Sequence, residues 1–160
     1  MHNVLVLRDP FNLFASRWRA SRTTGLGLRS LGQTVVLWKS YAREYLGMTN
    51  SLPRRISINY NQWFIDKEYR KTISEAVGLP FSDAGLQVVP DAGRGSSFDR
   101  FSYDGKAQEM AVLDRWRRYA KYRSFRRYFQ DEELVWLTRL CFGDMLQEAI
   151  DTLCTANTTP

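Results

Sequence analysis

The sequence has few of the residues that build disulfide frameworks, metal centres and membrane spans. Its 160 residues include two cysteines and one histidine. Cys141 and Cys154 have neither CxxC spacing nor a neighbouring histidine, which argues against a disulfide scaffold and a zinc module. No apolar run approaches the roughly 20 residues that a membrane span needs, and the N-terminal residues do not have the layout of a signal peptide. We therefore expect a cytoplasmic protein without a metal.

What the sequence does contain fits one globular domain. Hydrophobic residues make up 44% of the chain and aromatic residues 14%, enough to fill a core. We predict a single domain over residues 1–160, with a frayed tail at 154–160. The net charge of +6 is concentrated between residues 114 and 128, which hold seven basic residues and one acidic residue. Most of these bases are arginines, whose planar fork suits phosphate or carboxylate partners.

The first half of the chain reads as an α/β unit. Residues 4–7 form a short run of Val and Leu, typical of a strand buried on both faces of a parallel sheet. A second strand is predicted over residues 55–59. The segment between them is helical and long enough for a crossover connection, so we expect strands 3–7 and 55–59 to be parallel members of one sheet.

Capping residues predict the helices. Asp9 and Pro10 begin the first helix, which frays near residues 23–25, and a second helix is expected over 31–46. A third runs from the cap Asp66 to about residue 77.

The second half of the chain is predicted to hold one long loop and two long helices. Residues 79–106 contain two prolines and four glycines without a regular period, and loops of this length are often functional. Helices are expected over 107–129 and 131–153. In the last helix one face should point inward, and it comprises Leu134, Leu137, Cys141, Met145 and Ile150.

Arg8, Asp9-Pro10 and Ser16 form the strongest local signal for chemistry. Arg8 leaves the carboxyl end of a predicted strand, where ligands bind in open α/β sheets. The following helix offers free N–H groups, and Ser16 lies on its first turns. Arg8 and Ser16 would grip a phosphate between a guanidinium fork and a hydroxyl. The alternative from the residues alone is an arginine paired with Asp9 and a half-exposed serine.

The chain resembles the sulfotransferases that use 3′-phosphoadenosine 5′-phosphosulfate (PAPS). In that family a strand ends in Arg-(Asn/Asp)-Pro, and a serine follows at the spacing seen here between Arg8 and Ser16. The resemblance continues in chain order over about residues 3–153. Its further parts are the strand at 55–60 (Arg-Ile-Ser-Ile-Asn-Tyr), the helix and Gly-Leu at 66–79, the Gly-Arg-Gly-Ser-Ser-Phe loop at 93–98 and the Trp-Arg-Arg at 116–118.

The resemblance implies a fold, a cofactor and a set of binding residues. The fold would be α/β, a truncated three-layer fold like that of P-loop NTPases, with few parallel strands and many helices. The cofactor would be PAPS, with its 3′-phosphate on Arg8 and Ser16 and its adenine against Tyr60. The glycines and arginine of the late loop, Gly93, Arg94 and Gly95, would close over the phosphate.

The resemblance also implies that part of the family's machinery is not in this sequence. In the family, the loop that holds the sulfate end and the catalytic base both lie upstream of the Arg-x-Pro strand. The chain has no GxxxxGK(S/T) motif, and its one histidine, His2, reads as a mobile terminal residue. We therefore expect the C-terminal part of the family fold, inactive alone and prone to self-association through an unpaired sheet edge.

Two other functions stay open. The chain could be a non-catalytic remnant that binds a nucleotide or merely keeps the fold. It could also be a basic module for RNA, single-stranded DNA or an anionic glycan, built on the arginines and aromatics of residues 114–128. The ordered motifs favour the sulfotransferase-like interpretation, so nucleic acid is not the expected partner. The sulfate acceptor would be a carbohydrate or a small molecule, and the catalytic base is unknown.

Overall fold

A computed structural model describes residues 2–24, 29–91, 96 and 98–154 of the chain. Two strands, β1 (Asn3–Leu7) and β2 (Arg55–Asn59), pair in parallel, with Asn3 opposite Arg55 and Leu7 opposite Asn59. This confirms the predicted parallel pair with both of its boundaries. Helices outweigh strands in the described chain, so the fold is α/β with a small parallel sheet.

Two helices connect the strands, α1 (Pro10–Thr24) and α2 (Arg29–Tyr45). The cap of α1 is the predicted one, because the Asp9 carboxylate accepts a hydrogen bond from the Asn12 amide at 2.8 Å. Gly47 follows α2 with φ of +76°, a left-handed conformation that favours glycine and stops the helix where the sequence predicts.

Only one face of β1 is covered. Leu5 and Leu7 are buried, whereas Val4 and Val6 are 52% and 54% exposed. The expectation of a strand buried on both faces was therefore wrong. The apolar run made both faces equally suitable for burial, but the described helices pack on the Leu5 side alone.

A short helix that the sequence analysis missed follows β2. It is α3 (Tyr60–Ile65), and the Asn59 side chain caps it by accepting a hydrogen bond from the Gln62 amide at 3.2 Å. Tyr60 thus begins a helix immediately after the sheet. The predicted third helix is confirmed as α4 (Lys67–Val77), with Asp66 as its N-cap and Gly78 in the left-handed conformation at its end.

The predicted helix over residues 107–129 was wrong. This segment holds two 3₁₀ turns, Ala107–Glu109 and Arg115–Arg118, then a single helical turn, α5 (Arg123–Arg126), and a 3₁₀ turn, Arg127–Gln130. Its backbone forms short turns within the segment, and two of its groups bond to the Asn12 side chain of α1. The fully buried Asn12 donates to the Leu113 carbonyl at 2.8 Å and accepts from the Trp116 amide at 3.3 Å, which holds these groups away from helical partners.

The predicted C-terminal helix is two helices. α6 (Glu132–Phe142) ends at Gly143, whose φ is +56°, and a 3₁₀ turn leads into α7 (Gln147–Cys154). The Asp131 cap is confirmed by a 2.9 Å bond from the Leu134 amide. Four of the five predicted inward residues are buried, but Met145 is 45% exposed because it lies in the turn after the break.

An aromatic core fixes α1 against residues 115–130, here named the basic segment. Phe11 and Phe14 of α1 lie 4.9 Å and 5.7 Å from Phe129 between ring centroids, and Trp18 lies 5.7 Å from Phe125. All five rings are almost completely buried. Aromatic burial of this size is among the strongest contributions to a core, so residues 115–130 are held at a defined position beside α1. Within the described ranges no helix is both long and apolar enough to cross a membrane.

Candidate anion-binding site

The carboxyl ends of β1 and β2 bring two predicted site residues together. Arg8 follows β1 directly, and Tyr60 follows β2. Since parallel strands end at the same edge of a sheet, the two side chains meet there. The Arg8 guanidinium carbon lies 5.0 Å from the centroid of the Tyr60 ring, a cation–π geometry.

Hydrogen bonds hold Arg8 in place, but one of its guanidinium donors has no acceptor among the described residues. Its Nη2 donates to the Val112 carbonyl at 2.5 Å, and its own carbonyl accepts from the Trp38 indole at 2.8 Å. Its Nε is buried and has no hydrogen-bond partner among the described residues. A buried donor without an acceptor costs free energy, so this N–H marks a place where an acceptor would be stabilised.

Ser16, the third predicted residue, joins the site through an arginine that the sequence analysis did not single out. Arg115 is 7% exposed, and its Nη1 donates to the Ser16 hydroxyl at 3.2 Å. Its Nη2 donates to the Ser96 hydroxyl at 2.8 Å. The guanidinium therefore bridges two serines from distant parts of the chain, and both hydroxyls lie at its edge.

The site carries excess positive charge. Burial, followed by the charge of Arg8, lowers the pKa of Arg115 to about 10, so the side chain stays charged at neutral pH. The acid nearest to it among the described ion pairs is Asp99, whose carboxylate is 3.6 Å from Nη2. Three guanidiniums, those of Arg8, Arg115 and Arg118, thus interact with two carboxylates, those of Asp9 and Asp99, an imbalance that an incoming anion would relieve.

Phe98 forms the apolar floor of this cluster. The guanidiniums of Arg19, Arg115 and Arg118 lie 5.1, 4.8 and 5.2 Å from the centroid of its ring. The ring is 8% exposed. Contact with the ring orients the planes of the three guanidiniums and does not neutralise their charge.

A tight turn presents Ser96 and Asp99 to the site. The Ser96 hydroxyl accepts from the amides of Phe98 and Asp99, each at 3.2 Å, and Ser96 pairs with Arg100 as an antiparallel bridge. Arg100 has φ of +49°, which is uncommon for a residue other than glycine. Strained backbone is often found at functional sites, and here it closes the turn that carries Ser96.

The N-terminus of α1 is occupied by the protein itself. Asp9 is completely buried, and its carboxylate takes the Asn12 amide and the Asn12 side chain. Burial raises the pKa of Asp9, while Arg8 and the bonds from Asn12 oppose that rise. The expectation that this helix end offers free N–H groups to a ligand was therefore wrong for the Asn12 amide, and Arg8, Arg115 and the serines supply the donors instead.

The remaining predicted residues can be placed only in part. Gly93, Arg94 and Gly95 lie outside the described residues, immediately before Ser96. His2 is exposed at the start of β1. No group of three or more His, Cys, Asp or Glu side chains that could hold a metal ion occurs in the described part of the chain. Of the predicted residues, Arg8 and Tyr60 are therefore in contact, and Ser16 bonds to Arg115.

Sequence reasoning missed Arg115 and Ser96. A signal for Arg115 existed, since it opens the arginine-rich segment beside Trp116. The helix predicted over 107–129 concealed that signal, because an arginine there would lie on a solvated helix face. Comparisons with family models, curated proteins and solved structures found no match to this chain.

Proposed function

We propose that this chain is a sulfotransferase-like protein that binds the 3′-phosphate of PAPS, or of its product 3′-phosphoadenosine 5′-phosphate, at the anion-binding site. The observation that carries the proposal is the buried Arg115, which bonds to Ser16 and lies near enough to Arg8 for the charge of Arg8 to lower its pKa. These residues come from the end of β1, from α1 and from the turn at 115–118. Their sequence separation makes an accidental grouping of donors a poor explanation.

The chemistry of the site suits a phosphate dianion. Arg8 offers a buried Nε without a described acceptor, and Arg115 offers a second guanidinium. The Ser16 hydroxyl can donate to a phosphate oxygen once it turns toward it, whereas the Ser96 hydroxyl already donates to the Asp99 carboxylate at 3.2 Å. Arginine binds phosphate through charge-assisted and often paired hydrogen bonds, and the partly buried position reduces screening by solvent.

An aromatic cluster lies on the side of the site where the adenine is proposed to bind. The Tyr60 ring lies 6.1 Å from that of Trp63 and 6.3 Å from that of Phe64, at interplanar angles of 25° and 24°. The Arg8 guanidinium already lies over the Tyr60 ring, so we propose that the purine contacts the edge of this ring and the neighbouring apolar rings and does not stack on the covered face. Tyr60 remains our proposed adenine contact.

The reaction proposed is transfer of the sulfuryl group from PAPS to a carbohydrate or small-molecule acceptor. The described residues contribute the 3′-phosphate side of the cofactor site, and we assign no catalytic base. In this proposal the parallel pair belongs to a three-layer fold like that of P-loop NTPases. The cytoplasmic location and the self-association expected from the sequence remain predictions.

Isothermal titration calorimetry with 3′-phosphoadenosine 5′-phosphate and with adenosine 5′-monophosphate tests the proposal. We expect the first nucleotide to bind more tightly, since only it carries a 3′-phosphate. Arg8→Ala should weaken its binding by on the order of 2–3 kcal/mol and leave the monophosphate unaffected. Arg139→Ala is the matched control, because the side chain of this exposed arginine of α6 bonds to Gln147 and, in the described part of the chain, to no other residue.

Equal binding of the two nucleotides, with no effect of Arg8→Ala, would show that the chain has no 3′-phosphate site and would contradict the proposal. Preferential binding of the 3′-phosphorylated nucleotide would support the cofactor site, and the chain alone is expected to bind it without transferring a sulfuryl group.

A further inference from the structure

Four cations on the surface of the basic segment have no acidic partner. Arg118, Lys121, Arg123 and Arg127, here named the basic ridge, are all exposed. None of the four forms an ion pair with any acid in the described part of the chain. Their described contacts are with rings: Arg118 with Phe98, and Lys121 with Tyr122 at 5.4 Å.

Other arginines of the segment are used by the protein. Arg117 bonds to Asp114 at 2.8 Å and holds both oxygens of Glu148 on α7. Arg115 is buried in the anion-binding site. The charges of the basic ridge are therefore the ones that no acidic side chain of the described structure neutralises. Four like charges within ten residues repel one another in water, and a partner with repeated negative charges would relieve that repulsion.

The fold of the segment explains why the charges of the ridge face solvent. A continuous helix would spread residues 118–127 around its circumference. The segment is instead broken into a turn, α5 and a second turn, while Phe125 and Phe129 anchor it in the core. Anchoring through the aromatics leaves the long basic side chains facing solvent.

The aromatic surroundings of the ridge favour recognition by charge over base stacking. Tyr122 is 39% exposed, but the Lys121 ammonium lies over its ring and the Tyr119 ring contacts it at 6.3 Å with a tilt of 41°. Single-stranded nucleic acids bind on rings whose faces are free to stack with bases. A polymer that presents sulfate or carboxylate groups needs no such face and matches the arginine fork.

We propose that the basic ridge binds an acidic polysaccharide through its sulfate or uronate groups. Arg118 links this surface to the anion-binding site, because it shares the Phe98 ring with Arg115. The proposal does not depend on the nucleotide site, since the other three members of the ridge have no described contact with it.

The test is titration of the whole chain with a chondroitin sulfate hexasaccharide at an ionic strength of about 0.15 M. The triple variant Lys121→Ala, Arg123→Ala, Arg127→Ala should weaken binding about tenfold, the effect of three modest exposed charge contacts. The slope of log affinity against log salt concentration should become shallower by about two. The matched control removes the same charge elsewhere: Lys67→Ala, Lys71→Ala, Lys106→Ala should bind almost as the parent does.

Three results would overturn the proposal. One is an absence of binding by the parent chain, and another is an equal loss in both triple variants, which would leave only net charge as the cause. The third is equal or tighter binding of an oligodeoxythymidine of roughly ten nucleotides, which would make the partner a nucleic acid. The ridge variant should keep its affinity for 3′-phosphoadenosine 5′-phosphate, so failure of this proposal and failure of the nucleotide site can be told apart.

Discussion

Two of the buried charges in the described structure, those of Glu44 and Arg115, differ in how fully their surroundings balance them. After α2, the Glu44 carboxylate is 5% exposed and accepts bonds from the Thr49 hydroxyl at 2.5 Å and the amides of Ser51 and Leu52 at 2.9 and 3.1 Å. Arg55 at the start of β2 completes it at 2.6 Å. These partners, the Thr49 hydroxyl foremost, lower the pKa of Glu44 to about 2.

The anion-binding site is the opposite case. Arg8 and Arg115 lie close enough for the charge of Arg8 to lower the pKa of Arg115, and the Asp99 carboxylate approaches only to 3.6 Å. The Nε of Arg8 is buried and has no acceptor among the described residues. Satisfied buried charge stabilises the connection between α2 and β2. Unbalanced buried charge at the sheet edge lowers the stability of the fold, a cost that a bound anion would offset.

The largest expected effect is on stability, from breaking the balanced site. Glu44→Ala should lower the thermal midpoint more than any other change considered, because Arg55 and three further donors lose their acceptor. Nucleotide binding measured well below that midpoint should be unchanged. Glu75→Ala is the control, since this exposed acid of α4 has no described side-chain partner.

The same site predicts how stability depends on pH. The pKa of Glu44 is lower in the folded chain than its ordinary value of 4.5, so its contribution is present above pH 4.5 and is lost as the pH falls toward 2. Urea unfolding of the parent chain and of Glu44→Gln across that window is the measurement. A parent chain as insensitive to acid as the variant would contradict the balanced-site description.

Arg115→Met should separate binding from folding. We expect binding of 3′-phosphoadenosine 5′-phosphate to fall by on the order of 2 kcal/mol, since a charge-assisted bond is lost. Stability should be unchanged or higher, because an apolar side chain replaces a buried charge that repels Arg8. Calorimetric titration and chemical unfolding of one preparation report both. A large loss of stability would mean that Arg115 is a structural residue like Arg55.

Ser16→Ala should have a smaller effect on the same binding reaction. One hydroxyl donor to a charged acceptor is removed, for which we expect a loss on the order of 1–2 kcal/mol. Ser74→Ala is a suitable control, because the Ser74 hydroxyl bonds to the Arg70 carbonyl within α4. Identical affinities of the parent chain and Ser16→Ala would mean that Ser16 does not contact the ligand.

The smallest effect, opposite in sign, should come from Asp99→Asn. The carboxylate competes with the ligand for Arg115, and the amide keeps much of its shape without the charge. Binding of the 3′-phosphate should tighten by about 0.5–1 kcal/mol, the size of one partly exposed ion pair. Weaker binding in Asp99→Asn would mean that the acid orients Arg115 for the ligand and does not compete with it.

The sequence predicted the elements that local chemistry determines. The β1–β2 pair, the start of α1 at Pro10, and the caps Asp66 and Asp131 all follow from apolar runs and capping residues that act over a few positions. Arg8, Ser16 and Tyr60 stay predicted site residues, of which Arg8 and Tyr60 are in contact while Ser16 bonds to Arg115.

What the sequence could not show depends on distant contacts. Residues 107–130 have a helical pattern, but Asn12 and Arg8 bind the carbonyls of Leu113 and Val112 and prevent a helix. The same contacts place the Arg115 side chain in the interior, where it bonds to Ser16. A residue 99 positions away along the chain decides its role, and no local pattern contains that information.

A crystal structure of the chain with 3′-phosphoadenosine 5′-phosphate is the most direct test of the central claim. The account predicts the 3′-phosphate within hydrogen-bond distance of Arg8, Ser16 and Arg115, with Arg115 turned from the serines toward the phosphate and the purine beside Tyr60. A nucleotide bound elsewhere, or bound here with its 3′-phosphate in solvent and the Arg115 bridge to Ser16 and Ser96 intact, would contradict it.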